Sequence, residues 1–243
     1  MDAKYVWEPH TRYCVVLFYK YCAVEGVSYL CTQISKKLEE YHLLGRILIA
    51  VEGINGTVSG SEVAVMDFVA YLSSLHSGFS SIDWKYSYGQ GAHLPFFDRY
   101  VREVDEIIST GKPKSLIASN SHFDSSYGGL AGGGHHLSPE EFHKALQHDP
   151  HGVILDIRND VEYDIGHFEN AIGLDTSTYA DTWDKMDRVV QQQLQTSSSS
   201  SPNYYLYCTG GIRCEKASVY LKTKGIQNVY QVIRTALYIS TWF

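Results

Sequence analysis

Tyr204-Tyr205-Leu206-Tyr207-Cys208-Thr209-Gly210-Gly211-Ile212-Arg213-Cys214 runs from an apolar segment through a cysteine and two glycines into a helical pattern. Tyr204–Tyr207 reads as a buried strand by its aromatic content. Cys214-Glu215-Lys216-Ala217-Ser218-Val219-Tyr220-Leu221-Lys222 reads as the helix that follows. Gly210 and Gly211 tolerate positive φ and let the backbone curl tightly between the two elements. Such a curl aims several N–H groups at one point, with Cys208 at its rim and the sulfur near the helix N-terminus. That end of a helix carries partial positive charge and suits an anion, here a thiolate or the persulfide formed from one. A free thiol has a pKa of about 8.5, and sites of this type bring it to roughly 3.5–7.5. The pattern predicts a reactive sulfur at Cys208, a loop of Thr209, Gly210, Gly211 and Ile212 around it, and added positive charge from Arg213.

Spacing narrows the chemistry. Four residues separate Cys208 from Arg213, one fewer than a phosphate-sized cradle has, and the position where a phosphatase arginine would fall is Cys214. The small loop is better matched to a sulfane sulfur than to a phosphoryl group. The competing reading of Cys208 is a small buried hydrophobe, which needs neither the glycine pair nor Arg213. Cys214 has two readings, a thiol that resolves a sulfenate or persulfide on Cys208, or a residue that only fills the first helical turn. Asp156 and Arg158, at a predicted strand end, either brace the loop or pair with each other. His167 reads as a structural hydrogen-bonding residue after a turn.

Composition bounds the rest. The length suits one large or two small domains, and 44% apolar content is enough for real cores. No apolar run is long enough to span a bilayer, and the first ten residues lack the basic-then-apolar order of a secretion signal. The five cysteines are an odd count without a Cys-x-x-Cys pair. They predict reduced thiols in the cytoplasm or another reducing compartment, with neither a disulfide frame nor a metal site. The net charge of −7 divides into −2 over residues 1–114 (11 basic, 13 acidic) and −5 over 115–243 (9 and 14). Neither part is a nucleic-acid binder by bulk charge, which leaves room for a local basic patch.

Along the first half the order reads β-α-β-β-α-β. Strands are predicted at Tyr13–Lys20, Gly45–Val51, Thr57–Ser59 and Ile82–Tyr88, with Asn55-Gly56 as a turn before the third. Helical spacing runs from Val27 to Tyr41 through Leu30, Ile34 and Leu38, and again through Val65, Phe68, Val69, Leu72 and Leu75 after a Ser61 cap. This is the ferredoxin-like plan, an antiparallel sheet with two helices on one face. A polar stretch from Ser119 to Ser126 and the glycines of 128–134 mark a linker. Beyond it Ser138-Pro139-Glu140-Glu141 starts a helix. Strands at Val153–Ile157, Ala171–Leu174, Tyr204–Tyr207 and Val229–Val232 alternate with helices near Asp160–Ile165 and Thr182–Leu194 and after the loop, which implies a parallel sheet covered on both faces. The Gln/Ser tract Gln191–Pro202 reads as a mobile surface loop. The expected fold class is α/β: a ferredoxin-like (acylphosphatase-like) α+β domain over 1–112, a linker over 113–134, and an α/β domain with a parallel sheet over 135–243.

Two sets of motifs resemble known families. Cys208-x-x-Gly211-x-Arg213, with Leu155-Asp156-Ile157-Arg158, Glu162-Tyr163 and Gly166-His167-Phe168-Glu169-Asn170-Ala171 upstream, resembles the rhodanese family. Leu44 to Gly60, with Gly53-Ile54-Asn55-Gly56-Thr57-Val58-Ser59-Gly60 at its end, joins the Cys208–Ser218 segment in resembling the rhodanese-containing tRNA uridine hydroxylases, in the same domain order and over most of the chain. That resemblance implies oxygen-dependent 5-hydroxylation of the wobble uridine of tRNA, with Cys208 as the reactive cysteine, tRNA as partner and molecular oxygen as co-substrate. No cofactor is evident, for neither an iron facial triad nor a flavin motif is visible. The alternatives are a sulfurtransferase that carries a persulfide on Cys208 between a sulfur donor and a thiol acceptor, and a non-catalytic binding module. Arg46, Glu52 and Asn55 either contribute to an RNA-facing surface or belong to a tight turn at Gly53–Gly56. The last residues depart from the family pattern. The segment after Val229-Tyr230-Gln231 lacks the expected Gly-Gly turn and later cysteines, which predicts a C-terminally incomplete rhodanese domain with an uncovered sheet face.

Overall fold

The computed structural model describes residues 12–91, 94–111, 130, 132–196 and 202–233. The expected departure at the C-terminal segment and most of the expected linker lie outside these residues. The chain divides into two compact units, with the boundary along the described chain between Ile107 and Ile108.

The first unit is a five-stranded sheet in the order β4-β1-β3-β2-β5, built from β1 (Arg12–Tyr21), β2 (Leu44–Ala50), β3 (Gly53–Gly60), β4 (Lys85–Gln90) and β5 (Arg99–Glu103). All neighbours are antiparallel except β2 and β5. Period-2 alternation puts Val16, Phe18, Ile47, Ile49, Ile54 and Val58 on one face, each fully buried. Helices α1 (Val27–Glu40) and α2 (Glu62–Leu75) cover that face with Leu30, Ile34, Leu38, Ala64, Val65, Phe68 and Leu72. The Ser61 side chain caps α2 by accepting from the Ala64 N–H at 3.3 Å. This is the ferredoxin-like plan with an added edge strand, β5.

The β2–β3 connection corrects the sequence reading. Asn55 and Gly56 are not a turn; they lie inside β3, paired with Tyr19 and Phe18 of β1 and with Leu48 and Ile47 of β2. The reversal falls at Val51-Glu52, closed by the Ala50–Gly53 pair. Gly53 has φ +147°, and a Cβ there would lie 2.0 Å from the Lys20 carbonyl oxygen. Central-strand pairing on both sides outweighs the local preference of an Asn-Gly step.

The second unit is an all-parallel sheet in the order β6-β10-β9-β7-β8, from β6 (His135–Leu137), β7 (Val153–Asp156), β8 (Ile172–Gly173), β9 (Tyr204–Tyr207) and β10 (Val229–Val232). Central β9 is buried along its whole length and feeds both faces. Tyr205 and Tyr207 pack with Phe142 of α3 (Pro139–His148) and with Ala171. Tyr204 and Leu206 pack on the other side with Trp183 and Met186 of α5 (Thr182–Thr196) and with Ala217, Tyr220 and Leu221 of α6 (Ile212–Thr223). A short helix, α4 (Asp160–Ile165), follows β7. Helix α3 starts as its sequence predicts: Ser138 Oγ accepts from the Glu141 N–H, the Glu141 carboxylate accepts from the Ser138 N–H, and Pro139 opens the first turn.

Two boundaries differ from expectation. Helix α5 continues through Gln191–Thr196, so the first half of the Gln/Ser tract is helical rather than loop; glutamine is a good helix former and carries the helix on. Residues 108–111 belong with the second unit although the sequence reading runs its first domain to 112. Trp183 Nε1 donates to the Thr110 carbonyl at 2.6 Å and Lys216 Nζ to that of Ile108 at 3.2 Å.

Candidate active site

The loop after β9 leaves the carboxyl end of the central strand, where open α/β sheets place their ligands. Gly211 adopts φ +97° as the N-cap of α6, a conformation that favours glycine; Gly210 lies outside the left-handed region. The turn at Gly211 points its N–H at Cys208, and Sγ accepts it at 3.1 Å. The arrangement has the predicted logic of a sulfur held by main-chain donors.

The sulfur's burial was not expected. Cys208 is fully enclosed rather than at a rim, because strand alternation carries Tyr204, Leu206 and Cys208 onto the same face, under α6. Burial alone pushes the thiol up. The Cys214 S–H, the Arg213 guanidinium and the N–H groups of Cys214 and Arg213 outweigh it and hold Cys208 down at about 5. Cys214 goes the other way: burial and the adjoining Cys208 sulfur push it well above the ordinary thiol range. One sulfur carries the charge and its neighbour holds the proton pointed at it.

Arg213 is not a solvated charge. Its Nη1 and Nη2 donate to the Glu162 carboxylate at 2.8 and 2.9 Å, and Nη2 also reaches Thr209 Oγ1 at 2.8 Å. Thr209 Oγ1 itself donates to Glu162, and the Asn159 N–H completes the set at 3.3 Å. Burial would raise the Glu162 carboxyl, but the donors from Arg213 and Thr209 prevail and lower it to about 2. Glu162 thus ties α4 to both ends of the loop. The Tyr179 hydroxyl fixes the start of α6 by donating to the Arg213 carbonyl at 2.7 Å. Glu162 stands in the rhodanese-like motif but has no part legible from sequence; its visible signal, an Asn159-x-x-Glu162 helix start, speaks only of capping.

Asp156 and Arg158 pair with each other. Arg158 Nε and Nη2 donate to the Asp156 carboxylate at 2.9–3.0 and 2.6 Å, the Arg158 N–H adds a further bond at 2.9 Å, and Nη2 also donates to the Gly166 carbonyl at 2.6 Å. Arg158 thereby ties the Gly166 end of α4 to the end of β7. His167 is exposed, stacked on Tyr163 with ring centroids 3.7 Å apart and bonded to the Tyr163 carbonyl at 2.9 Å, a structural role. In the first unit, Asn55 Nδ2 donates to the Ile107 carbonyl at 2.9 Å and Glu52 accepts from the Ile107 N–H at 2.8 Å. These two side chains hold the strand-exit segment rather than facing outward, whereas Arg46 is exposed. Among the described residues no group of three or more His, Cys, Asp or Glu side chains is placed to hold a metal ion, and no helix is long and apolar enough to cross a membrane. All five cysteines are free thiols.

A ferredoxin-like unit, followed by a parallel sheet whose central strand ends in a sulfur-cradling loop, defines a two-domain class. Residues 13–107 match the UPF0176 acylphosphatase-like domain, and residues 138–234 match the rhodanese-like domain. A tRNA uridine(34) hydroxylase of Legionella pneumophila (strain Paris) is 34% identical over 218 residues, covering 90% of this chain and 77% of its own length. The protein of that name from Staphylococcus epidermidis is 34% identical over 222 residues, and this chain spans 62% of its length. Among solved structures, an acylphosphatase from Coxiella burnetii is similar at 18% identity and a TM-score of 0.27, over 42% of this chain and all of that one. The chain belongs to the family of the proteins named tRNA uridine(34) hydroxylase.

Proposed function

We propose that this chain is an RNA-modifying enzyme that hydroxylates the 5-position of the wobble uridine in tRNA with molecular oxygen, and that Cys208 is its essential thiolate. The observation that carries the reading is the state of one sulfur. Cys208 accepts the Gly211 N–H at 3.1 Å and is held at about 5, so it is ionised at neutral pH, the form in which a cysteine is the nucleophile. The relatives' shared name points to uridine 34 of tRNA and to hydroxylation; the 5-position and molecular oxygen follow from the family resemblance. Arg213 contributes positive charge near the sulfur and, clamped by Glu162 and Thr209, keeps the loop in shape. Free cysteines suit a reducing compartment such as the cytoplasm. The test is mass spectrometry of tRNA incubated with the protein, oxygen and a thiol reductant, whose two electrons take the second oxygen atom to water, beside Cys208→Ser. The expected result is 5-hydroxyuridine with the native chain and none with the variant; native, folded protein that leaves uridine unchanged overturns the reading.

The main-chain cradle also favours a second reading, sulfur transfer. The Cys208 thiolate attacks the outer sulfur of thiosulfate, an S–S bond forms on Cys208, the bond to the sulfonate breaks, and sulfite leaves with the electron pair. A thiol acceptor then takes the sulfane sulfur. Intact mass after thiosulfate treatment shows one added sulfur on Cys208 if this chemistry operates, and no change if it does not.

A further inference from the structure

We propose that the helix-free face of the first unit's sheet is the surface on which this chain holds RNA, an inference that rests on the tRNA-modifying reading and supplies its binding site. Strand registers define the face. Leu17 of β1 lies beside Thr57 of β3, Thr57 beside Arg46 of β2, and Arg46 beside Tyr100 of β5. In the neighbouring row Leu48 lies beside Arg102. All of these are opposite in sense to the buried Val16, Phe18, Ile47 and Val58 that meet the helices. Arg46 and Arg102 are exposed, and Leu17, Leu48, Thr57 and Tyr100 are half-buried. The Asn55 end of the face is taken by Ile107, Tyr19, Tyr21, Ala50 and Ser59 on the same face are buried, and Lys85 at the β4 edge is engaged with Asp83 at 3.2 Å; none of these is counted, and the surface is the patch around Arg46, Tyr100 and Arg102.

Charge selects the partner. Among the described strand positions on this face, from Tyr13 of β1 to Arg102 of β5, none is Asp or Glu, although the whole chain carries −7. The Arg102 guanidinium lies over the Tyr100 ring, 4.2 Å from its centroid. A guanidinium beside an aromatic ring is a stacking platform for a base together with a charge for its phosphate. The two arginines stand one strand and two residues apart, about 8 Å by strand spacing and rise. Flanking half-buried leucines and a threonine suit bases and riboses. A sheet face that presents aromatic, arginine and small polar side chains reads unstacked, single-stranded nucleotides such as those of a loop.

The test uses the full chain and a fluorescent stem–loop RNA with an unpaired uridine in its loop, read by anisotropy across a salt series. Arg46→Glu and Arg102→Glu each weaken binding by roughly five-fold or more, and the dependence of log K on log salt flattens by about 0.7 for each phosphate that the variant no longer neutralises. Tyr100→Ala weakens binding by a similar factor while Tyr100→Phe retains it. Lys36→Glu, the same charge change on exposed α1, stays within about two-fold, because a charge off the binding face adds little to the affinity. Circular dichroism and amide exchange across β1, β2 and β3 show that each variant is folded. The proposal is overturned if native protein does not bind the RNA, if the arginine variants bind like the native chain, if Lys36→Glu loses as much, or if the variants split a dimer with RNA affinity unchanged. Failure of the hydroxylase reading is a separate outcome: RNA bound on this face with no 5-hydroxyuridine formed leaves the surface standing and removes the activity.

Discussion

Cys208 and Cys214 are the same chemical group six positions apart, yet the fold gives them opposite ionisation. Cys208 has the Gly211 N–H at 3.1 Å and the Cys214 S–H as donors, whereas Cys214 is buried beside an anion. A hydrogen bond to an ionised group contributes about 1.5–3 kcal/mol, which corresponds to about 1–2 pH units. Cys214→Ala is therefore expected to move the thiolate titration of Cys208, followed by ultraviolet absorbance, upward from about 5 by that amount, while Cys214→Ser, which keeps a donor, moves it less. An unchanged midpoint in the alanine variant would show that the thiol at 214 gives Cys208 nothing. Glu162 offers a second residue-scale test. Its folded pKa, about 2, lies below the ordinary carboxylate value of about 4.3. Its stabilisation is thus fully present above the unfolded value and fades as pH falls through that range toward 2. Glu162→Gln should cost on the order of 1–3 kcal/mol at pH about 7, less than the roughly 3–5 kcal/mol for breaking a fully buried pair, because 32% of the side chain is exposed. Urea unfolding should show the gap between native and variant narrowing in acid; a gap that widens there contradicts the pairing. The cysteine, the glycines and Arg213 could be read from sequence because they are contiguous. Glu162 could not, because its partnership with Arg213 joins residues far apart in the chain and only folding brings α4 against the loop.

Among elements, the strands legible in the sequence are those with apolar alternation or all-apolar runs, such as β1, β2 and β9. The two that are not are β5, Arg-Tyr-Val-Arg-Glu, and β6, His-His-Leu. Both are edge strands, half-exposed and polar, whose identity comes from pairing with β2 and β10 rather than from their own composition. The β2–β3 hairpin shows the opposite error. An Asn-Gly step carries a strong local turn signal, but here it serves β3: Gly56 sits where a Cβ would meet the Phe18 ring at 2.7 Å. The turn depends instead on Gly53, whose φ of +147° and whose approach to the Lys20 carbonyl leave no room for a side chain. Gly53→Ala combines a strained backbone of about 1–3 kcal/mol with a backbone clash, so a loss of on the order of 2–4 kcal/mol is expected in denaturant unfolding. A loss under about 1 kcal/mol, below the range of such strain, would mean that the hairpin relaxes and that Gly53 does not set its register.

At the scale of the whole molecule, one core in each unit is tied to one expected duty. One sheet-and-helix core surrounds Phe68, which is fully buried in the first unit. The other surrounds Trp183, fully buried in the second, with ring centroids 5.3 Å from Tyr179 and 4.9 Å from Tyr220. Cys208 belongs to the second core, and the expected RNA face belongs to the first. A lesion in either core should therefore be read by a different function. Removing a buried aromatic side chain costs about 3–5 kcal/mol, an amount large against the usual stability of a domain. Phe68→Ala is expected to speed amide exchange throughout β1, β2 and β3 and to weaken RNA binding, with the Cys208 titration still near 5. Trp183→Ala is expected to do the reverse: faster exchange in β9 and α6 and a Cys208 midpoint that rises as the cradle loosens, with exchange in β1–β3 held. Hydrogen exchange by mass spectrometry reads both at once on the same samples. If Phe68→Ala raised the Cys208 midpoint as much as Trp183→Ala does, the ionised sulfur would depend on both cores and the assignment of one duty to each would fail.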